Sequence, residues 1–137
     1  MLHTRICDLL AITHPIVLGG LGGGHTSAPL VAAVSNAGGF GTLGVTGFSA
    51  GSVQEQIAAI RATTDKPFGV NFLLFLIEEA ALAAALESRP PVVSSAWARP
   101  EQDLRHMCSV YTTPAHLSCI WLVRFPKRFV RLRPGRM

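Results

Sequence analysis

His14-Pro15-Ile16-Val17-Leu18-Gly19-Gly20-Leu21-Gly22-Gly23-Gly24 sets three consecutive apolar residues directly before a glycine run that only Leu21 interrupts. A short apolar run bounded by turn signals has the pattern of a buried strand, and here it ends in a loop whose backbone is bare. Thr26 and Ser27 then offer a helix cap, and Pro29 falls in the first turn, where its missing N–H costs little. Leu30, Val34 and Ala37 recur at helical spacing, and Gly38-Gly39 ends the helix.

The same strand-then-helix unit recurs downstream. A second strand is expected over Phe40–Val45, followed by a capping box of Ser52 and Glu55 and an apolar stripe of Val53, Ile57 and Ile60. Thr64-Asp65-Lys66-Pro67 makes a turn into a third strand, from Phe68 to about Phe72. Glu78 and Glu79 favour the start of a third helix carrying Leu82 and Leu86, which Arg89-Pro90-Pro91 stops. Val92-Val93-Ser94-Ser95 is the fourth strand, and Arg99-Pro100-Glu101-Gln102 begins an expected fourth helix. At about 30 residues per βα unit, residues 1–105 hold about three and a half units of an α/β domain. The alternation alone leaves both an open doubly wound sheet and a closed barrel in play.

Composition divides the chain at the same place. Of its 137 residues 49% are hydrophobic and 15% charged, which suits a globular core and not a disordered chain. Residues 1–105 carry six basic and eight acidic groups, a net of −2, whereas residues 106–137 carry six basic groups and no acid, a net of +6. The basic character therefore belongs to a tail in which the βα pattern also fails, apart from a short apolar patch over Ile120–Val123 that allows a strand. This arginine- and proline-rich tail, joined abruptly inside an expected helix, fits a frameshifted end; a genuine divergent C terminus is the alternative.

Cys7, Cys108 and Cys119 are an odd count without C-x-x-C spacing, which argues against a disulfide framework and a zinc site and fits a reducing cytoplasm. The N-terminal ten residues lack the long apolar region of a signal peptide. The longest apolar run, Phe68 to Ile77, is about half of a bilayer crossing and contains Asn71, so no membrane span is expected.

Several short motifs yield to plainer readings. Gly39-Phe40-Gly41-Thr42-Leu43-Gly44 satisfies G-x-G-x-x-G, but it follows a helix and runs through the next strand, whereas a dinucleotide fingerprint follows a strand and opens a helix. Close strand–helix packing accounts for these glycines better. Gly47-Phe48-Ser49-Ala50-Gly51 satisfies G-x-S-x-G, and a serine hydrolase would draw its acid and histidine from Asp103 with His106 or His116. These lie where the regular pattern is ending, and a helix cap at Ser49 or Ser52 is the better reading. The run Gly19–Gly24 lacks the Lys-Ser/Thr ending of a P-loop. It offers a backbone free to approach a flat or anionic ligand at the C-terminal end of a strand, where α/β barrels place their sites; a structural glycine turn explains the composition equally well. His25 beside it suits a surface histidine. Asn71 is the one polar residue in a strongly apolar strand, so it is either a satisfied core amide or a ligand contact near the rim that carries Gly20.

Taken together, three blocks in order resemble the nitronate monooxygenases, also called 2-nitropropane dioxygenases. They are residues 14–23, Leu30-Val31-Ala32-Ala33-Val34-Ser35-Asn36-Ala37-Gly38-Gly39-Phe40-Gly41, and Thr64-Asp65-Lys66-Pro67-Phe68-Gly69-Val70-Asn71-Phe72. The resemblance covers about residues 3–105. It implies the N-terminal part of an FMN-binding TIM (β/α)8 barrel that oxidises alkyl nitronates with O2. By resemblance Gly19, Gly20, Leu21 and Gly22 form the first flavin-contacting loop, and Asn71 with Phe72 lines the flavin ring. Leu21 stands where the family commonly has methionine, a substitution of similar volume. The family's catalytic histidine lies in a later glycine-rich loop, and its phosphate site lies near the barrel's end; neither pattern occurs here, and His106 and His116 stand outside the matching context. A complete barrel takes about 250 residues, so this chain is expected to be truncated, weak or inactive alone, and able to self-associate through an open sheet edge. The alternative is a non-catalytic product whose basic tail binds polyanions; nucleic acid is a poor fit, because the tail lacks an aromatic-plus-basic order.

Overall fold

Short apolar runs separated by capped amphipathic segments build a sheet of parallel strands joined by crossover helices. The computed structural model describes residues 2–99, 102 and 120–122. Its elements are α1 (Arg5–Leu10), α2 (Ala28–Asn36), β1 (Gly41–Gly44), α3 (Ala50–Thr63), β2 (Phe68–Leu73), a single 3-10 turn (Leu74–Leu76), α4 (Glu79–Glu87), β3 (Val92–Ala96) and β4 (Ile120–Leu122). The four strands lie in the order β1-β2-β3-β4, and every pairing is parallel. The expected first strand at Ile16–Leu18 is reduced to one parallel bridge, Val17 to Phe40, held by Leu18 N–H donating to Phe40 and Phe40 N–H donating to Ile16.

Alternation along the strands sorts the side chains into two layers. Leu43, Val45, Phe68, Val70, Phe72 and Val93 share one core cluster with Val31 of α2, Val53, Ile57 and Ile60 of α3, and Leu82 of α4. All three crossover helices therefore cover the same face of a sequentially ordered sheet. A doubly wound sheet would carry helices on both faces, so the topology decides for the barrel: this is the N-terminal part of a (β/α)8 barrel. The other face would be the barrel's interior. At its N-terminal end α1 packs Cys7 and Leu10 with Ile12 against Phe40 and Val92. Gly69 leaves room for the Phe40 ring, which comes within 2.8 Å of where a Cβ would sit.

Two local expectations change. The buried side of α2 is Ala28, Val31, Ala32 and Ser35, while Leu30 is exposed and Val34 half-buried. Small residues win this face because the helix rides close on β1: a Cβ on Gly41 would lie 2.3 Å from the Val31 carbonyl oxygen. Close strand–helix packing is thus the reason for that glycine. The cap of α3 is Ser49, not Ser52. Ser49 is extended (φ −70°, ψ 161°) and its hydroxyl accepts from Ser52 N–H, whereas Ser52 is already helical.

Outside the helical and strand layers, Arg61 at the end of α3 donates to the carbonyls of Ser88 (2.5 Å) and Arg89 (2.9 Å) and lies over the Phe68 ring. It ties the C-terminal ends of α3 and α4 together, the position where a cation suits a helix. The backbone at Ile120–Leu122 pairs with β3 in the register Ser94 to Ile120, so the apolar patch that allows a strand within the otherwise irregular tail does form one. The expected helix after Pro100 and the rest of the basic tail lie outside the described residues.

Candidate functional site

Parallel strands end on a common edge, and the loops that follow them gather there. At this edge the register sets Gly44 beside Asn71 and Asn71 beside Ser94. All three have the parity opposite to the helix-facing Leu43, Val70 and Val93, so they form one row on the inner face. Ser94 donates to the Asn71 side-chain oxygen at 2.9 Å, which leaves the amide Nδ2 of Asn71 without a protein acceptor among the described residues. Asn71 is half-buried, and its main-chain oxygen accepts from Val45 N–H.

The glycine loop lies directly on this row. A Cβ added to Gly20 would stand 2.6 Å from the Asn71 Cβ, and one added to Gly44 would stand 2.4 Å from the Leu21 carbonyl oxygen. Gly19 and Gly22 instead border open space, with nothing within 4 Å of an added Cβ. The loop thus seats on β1 and β2 through Gly20 and Leu21 and leaves Gly19 and Gly22 free for a ligand. Among the described residues, none of the N–H groups from Gly19 to Gly24 donates to a protein acceptor. The Leu21 side chain is 53% exposed, and His25 is exposed.

The structure brings Gly20 and Asn71 into contact, and it sets Phe72 apart from them. Adjacent strand residues point to opposite faces, and the Phe72 side chain, 2% exposed, belongs to the helix-side core with Val70 and Phe68. It backs the strand that presents Asn71.

Three residues of the site were missed. Gly44 and Ser94 emerge only from strand register. Of Thr26 and Ser27, the two residues that offer a cap in the sequence, Ser27 takes the N-cap position of α2 without a side-chain capping bond, and Thr26 turns elsewhere. The Thr26 side chain is fully buried, donates to the Leu21 carbonyl at 3.1 Å and accepts from Gly44 N–H at 2.7 Å.

On the same rim Trp97, with φ +58° and 54% exposed, packs its ring 5.7 Å from Phe75. Arg99 and Gln102 hold the two loops together by donating to the carbonyls of Phe75 and Leu74.

The residues nominated for hydrolysis do not assemble. Ser49 is spent as a cap, with its hydroxyl donating to Ser52, and Asp103, His106 and His116 lie outside the described residues. Among the described residues no group of three or more His, Cys, Asp or Glu side chains is placed to hold a metal, and no helix is long and apolar enough to cross a membrane.

Comparison with known proteins meets this geometry. The family model described as Nitronate monooxygenase matches residues 3–106, the stretch that carries the glycine loop, the three crossover helices and Asn71. The chain belongs to the nitronate monooxygenase family. A probable nitronate monooxygenase from Staphylococcus saprophyticus is 41% identical over 73 residues, which is 53% of this chain and 20% of that protein. Another from Staphylococcus aureus is 31% identical over 103 residues, 75% of this chain and 27% of that protein. Among solved structures, FabK from Thermotoga maritima superposes with a TM-score of 0.70 at 32% identity, covering 87% of this chain and 37% of that one. Nitroalkane oxidase from Streptomyces ansochromogenes gives 0.65 at 24% identity, covering 88% and 42%, a likeness of fold. This member of the nitronate monooxygenase family thus spans only about a fifth to a quarter of the curated relatives named here.

Proposed function

We propose that this chain supplies the flavin-contacting part of a nitronate monooxygenase-type oxidoreductase, with FMN as cofactor and alkyl nitronates and O2 as substrates. The observation that carries this reading is the seating of Gly20 on Asn71, which sets loop N–H groups beside the Asn71 amide, neither with an acceptor among the described residues, on the inner rim of the barrel. A flavin ring is flat and rich in acceptors, and it needs a cradle without side chains and donors aimed into it. The residues fit that group. Gly19 and Gly22 leave the space, and the loop N–H groups and Asn71 Nδ2 provide donors. Leu21 provides an apolar cover, and Phe72 supports Asn71 from behind. Bound FMN supplies the electron acceptor for the nitronate and the reductant for O2. Ser94 fixes which end of the Asn71 amide faces inward, because its hydroxyl holds the oxygen.

The described residues provide no base beside this row: the histidines among them are His3, His14 and His25, and His25 stands exposed on the loop. A nitronate is already deprotonated and needs no base to give up an electron. The weak or absent oxidation proposed for this chain rests instead on the family's later-loop histidine having no counterpart among the described residues. Beside β1 the main-chain groups of Val17 face away from Phe40, and Ile16 and Val17 are exposed, so this edge can receive a strand from another chain. Free, buried Cys7 suits a reducing cytoplasm.

The test is to load the purified chain with FMN and add a primary alkyl nitronate without oxygen, then follow loss of the oxidised flavin absorbance. Flavin should bind and bleach slowly or not at all. Bleaching on a seconds timescale with O2-dependent recovery would overturn the inactivity, and a chain that takes up no flavin would overturn the cofactor assignment.

A further inference from the structure

We infer that Thr26 is the positioning residue of the glycine loop: its hydroxyl rivets Leu21 to Gly44 and so holds the loop in its ligand-receptive shape. The inference rests on the reading of Gly19–Gly22 as the flavin-contacting loop. A hydroxyl offers one donor and two acceptor sites. Here the donor goes to the Leu21 carbonyl, and an acceptor site takes Gly44 N–H. Both groups lie at the contact where the loop crosses β1, since Leu21 N, C and O all fall within 3 Å of where a Gly44 Cβ would be.

Three consequences follow from this single side chain. Gly44 lies at the end of β1, and Thr26 satisfies its N–H, which would otherwise be buried without a partner. The Leu21 carbonyl is drawn down onto the strand, away from the ligand side. That fixes the local peptide orientation and leaves the neighbouring Gly19 and Gly22 bordering open space. Complete burial of Thr26 removes water as a substitute for either bond. No other described side chain bonds to the loop between Gly19 and Gly24, so orientation depends on this one. Thr26 acts through Leu21 and does not itself reach the ligand space.

The experiment compares Thr26→Val, which keeps shape and removes both bonds, with Thr26→Ser, which keeps the hydroxyl. Amide hydrogen exchange is read at Gly44, with Ile57 in the α3 core as the control for global opening. FMN affinity is read by quenching of flavin fluorescence. In Thr26→Val, Gly44 exchange should speed up by about tenfold or more relative to Ile57, and FMN binding should weaken by about tenfold, the loss of one to two buried hydrogen bonds. Thr26→Ser should restore both to within about threefold. If Gly44 exchange in Thr26→Val matches the parent, or if Thr26→Ser is as impaired as Thr26→Val, the inference is wrong. If the parent binds no FMN, the flavin reading fails, while the rivet is still decided by exchange at Gly44 and its rescue by serine. Should Thr26→Val not fold, Thr26→Ser against Thr26→Ala under the same readouts decides it.

Discussion

Gly20→Ala is expected to strain the rim where Gly19→Ala, one residue away, is not. The added methyl at position 20 would stand 2.6 Å from Asn71 Cβ and 3.2 Å from its Cγ, against an ordinary contact of 3.4 Å or more. Relief therefore needs a displacement of about 0.8 Å between the loop and β2. Asn71 cannot supply it cheaply, because its backbone is paired with Gly44 and Ser94 on either side and its side chain is held by the Ser94 hydroxyl. The loop must move instead, and Leu21 is tied to Thr26. Overpacking of this kind costs about 1–3 kcal/mol. At position 19 nothing lies within 4 Å, and the backbone is not left-handed. Alanine there should fall within about 0.5 kcal/mol of the parent, with a stabilising contribution from the stiffer unfolded chain. Urea unfolding followed by far-UV circular dichroism reads both variants on one scale, with equal slopes expected. Equal midpoints for Gly20→Ala and Gly19→Ala would refute the seating of the loop on Asn71.

Phe72→Ala should cost about 3–5 kcal/mol of stability by emptying the helix-side core; a stability change under 1 kcal/mol in the same urea assay would return Phe72 to the ligand side. Ser35→Ala removes a buried hydroxyl that donates to the Pro67 carbonyl and accepts from Gly41 N–H, so about 1–3 kcal/mol should be lost. Thermal unfolding of Ser35→Ala at the parent's midpoint would contradict that bonding. Ser49→Ala should cost about 1 kcal/mol as a lost helix cap and leave nitronate or ester chemistry unchanged; an esterase activity that disappears with Ser49 would revive the hydrolase reading.

The sequence displayed its strands and crossover helices through apolar runs, caps and glycine stops, and β1, β2 and β3 fall where those signals put them. The first strand shrank to a bridge because Ile16–Leu18 has only Phe40 to pair with among the described residues. Whether the sheet was doubly wound or barrel-forming was not legible, since alternation says nothing about which face the helices choose. Leu30 and Val34 misled because helical spacing fits more than one stripe, and contact with Gly41 selects the small-residue stripe of Ala28, Val31, Ala32 and Ser35. Gly20 and Asn71 were legible as a glycine loop and the lone polar residue of an apolar strand. Ser94 and Gly44 required the register, which only paired strands define. Thr26 was hidden by its resemblance to a cap, because a hydroxyl just before a helix looks the same whether it bonds forward into the helix or back onto a strand.

The loop Gly19–Gly22 and Asn71 are proposed to form one flavin-receiving surface. Titration of FMN with the purified chain, read by flavin fluorescence, tests this most directly when run beside Asn71→Ala and Gly19→Ala. Saturable one-to-one quenching is expected for the parent, with at least about tenfold weaker binding for Asn71→Ala, the loss of a half-buried amide that would bond to the ring, and weaker binding also for Gly19→Ala, whose methyl would enter the open space kept for the ligand. Binding that is absent in the parent, or unchanged in Asn71→Ala, would contradict the account.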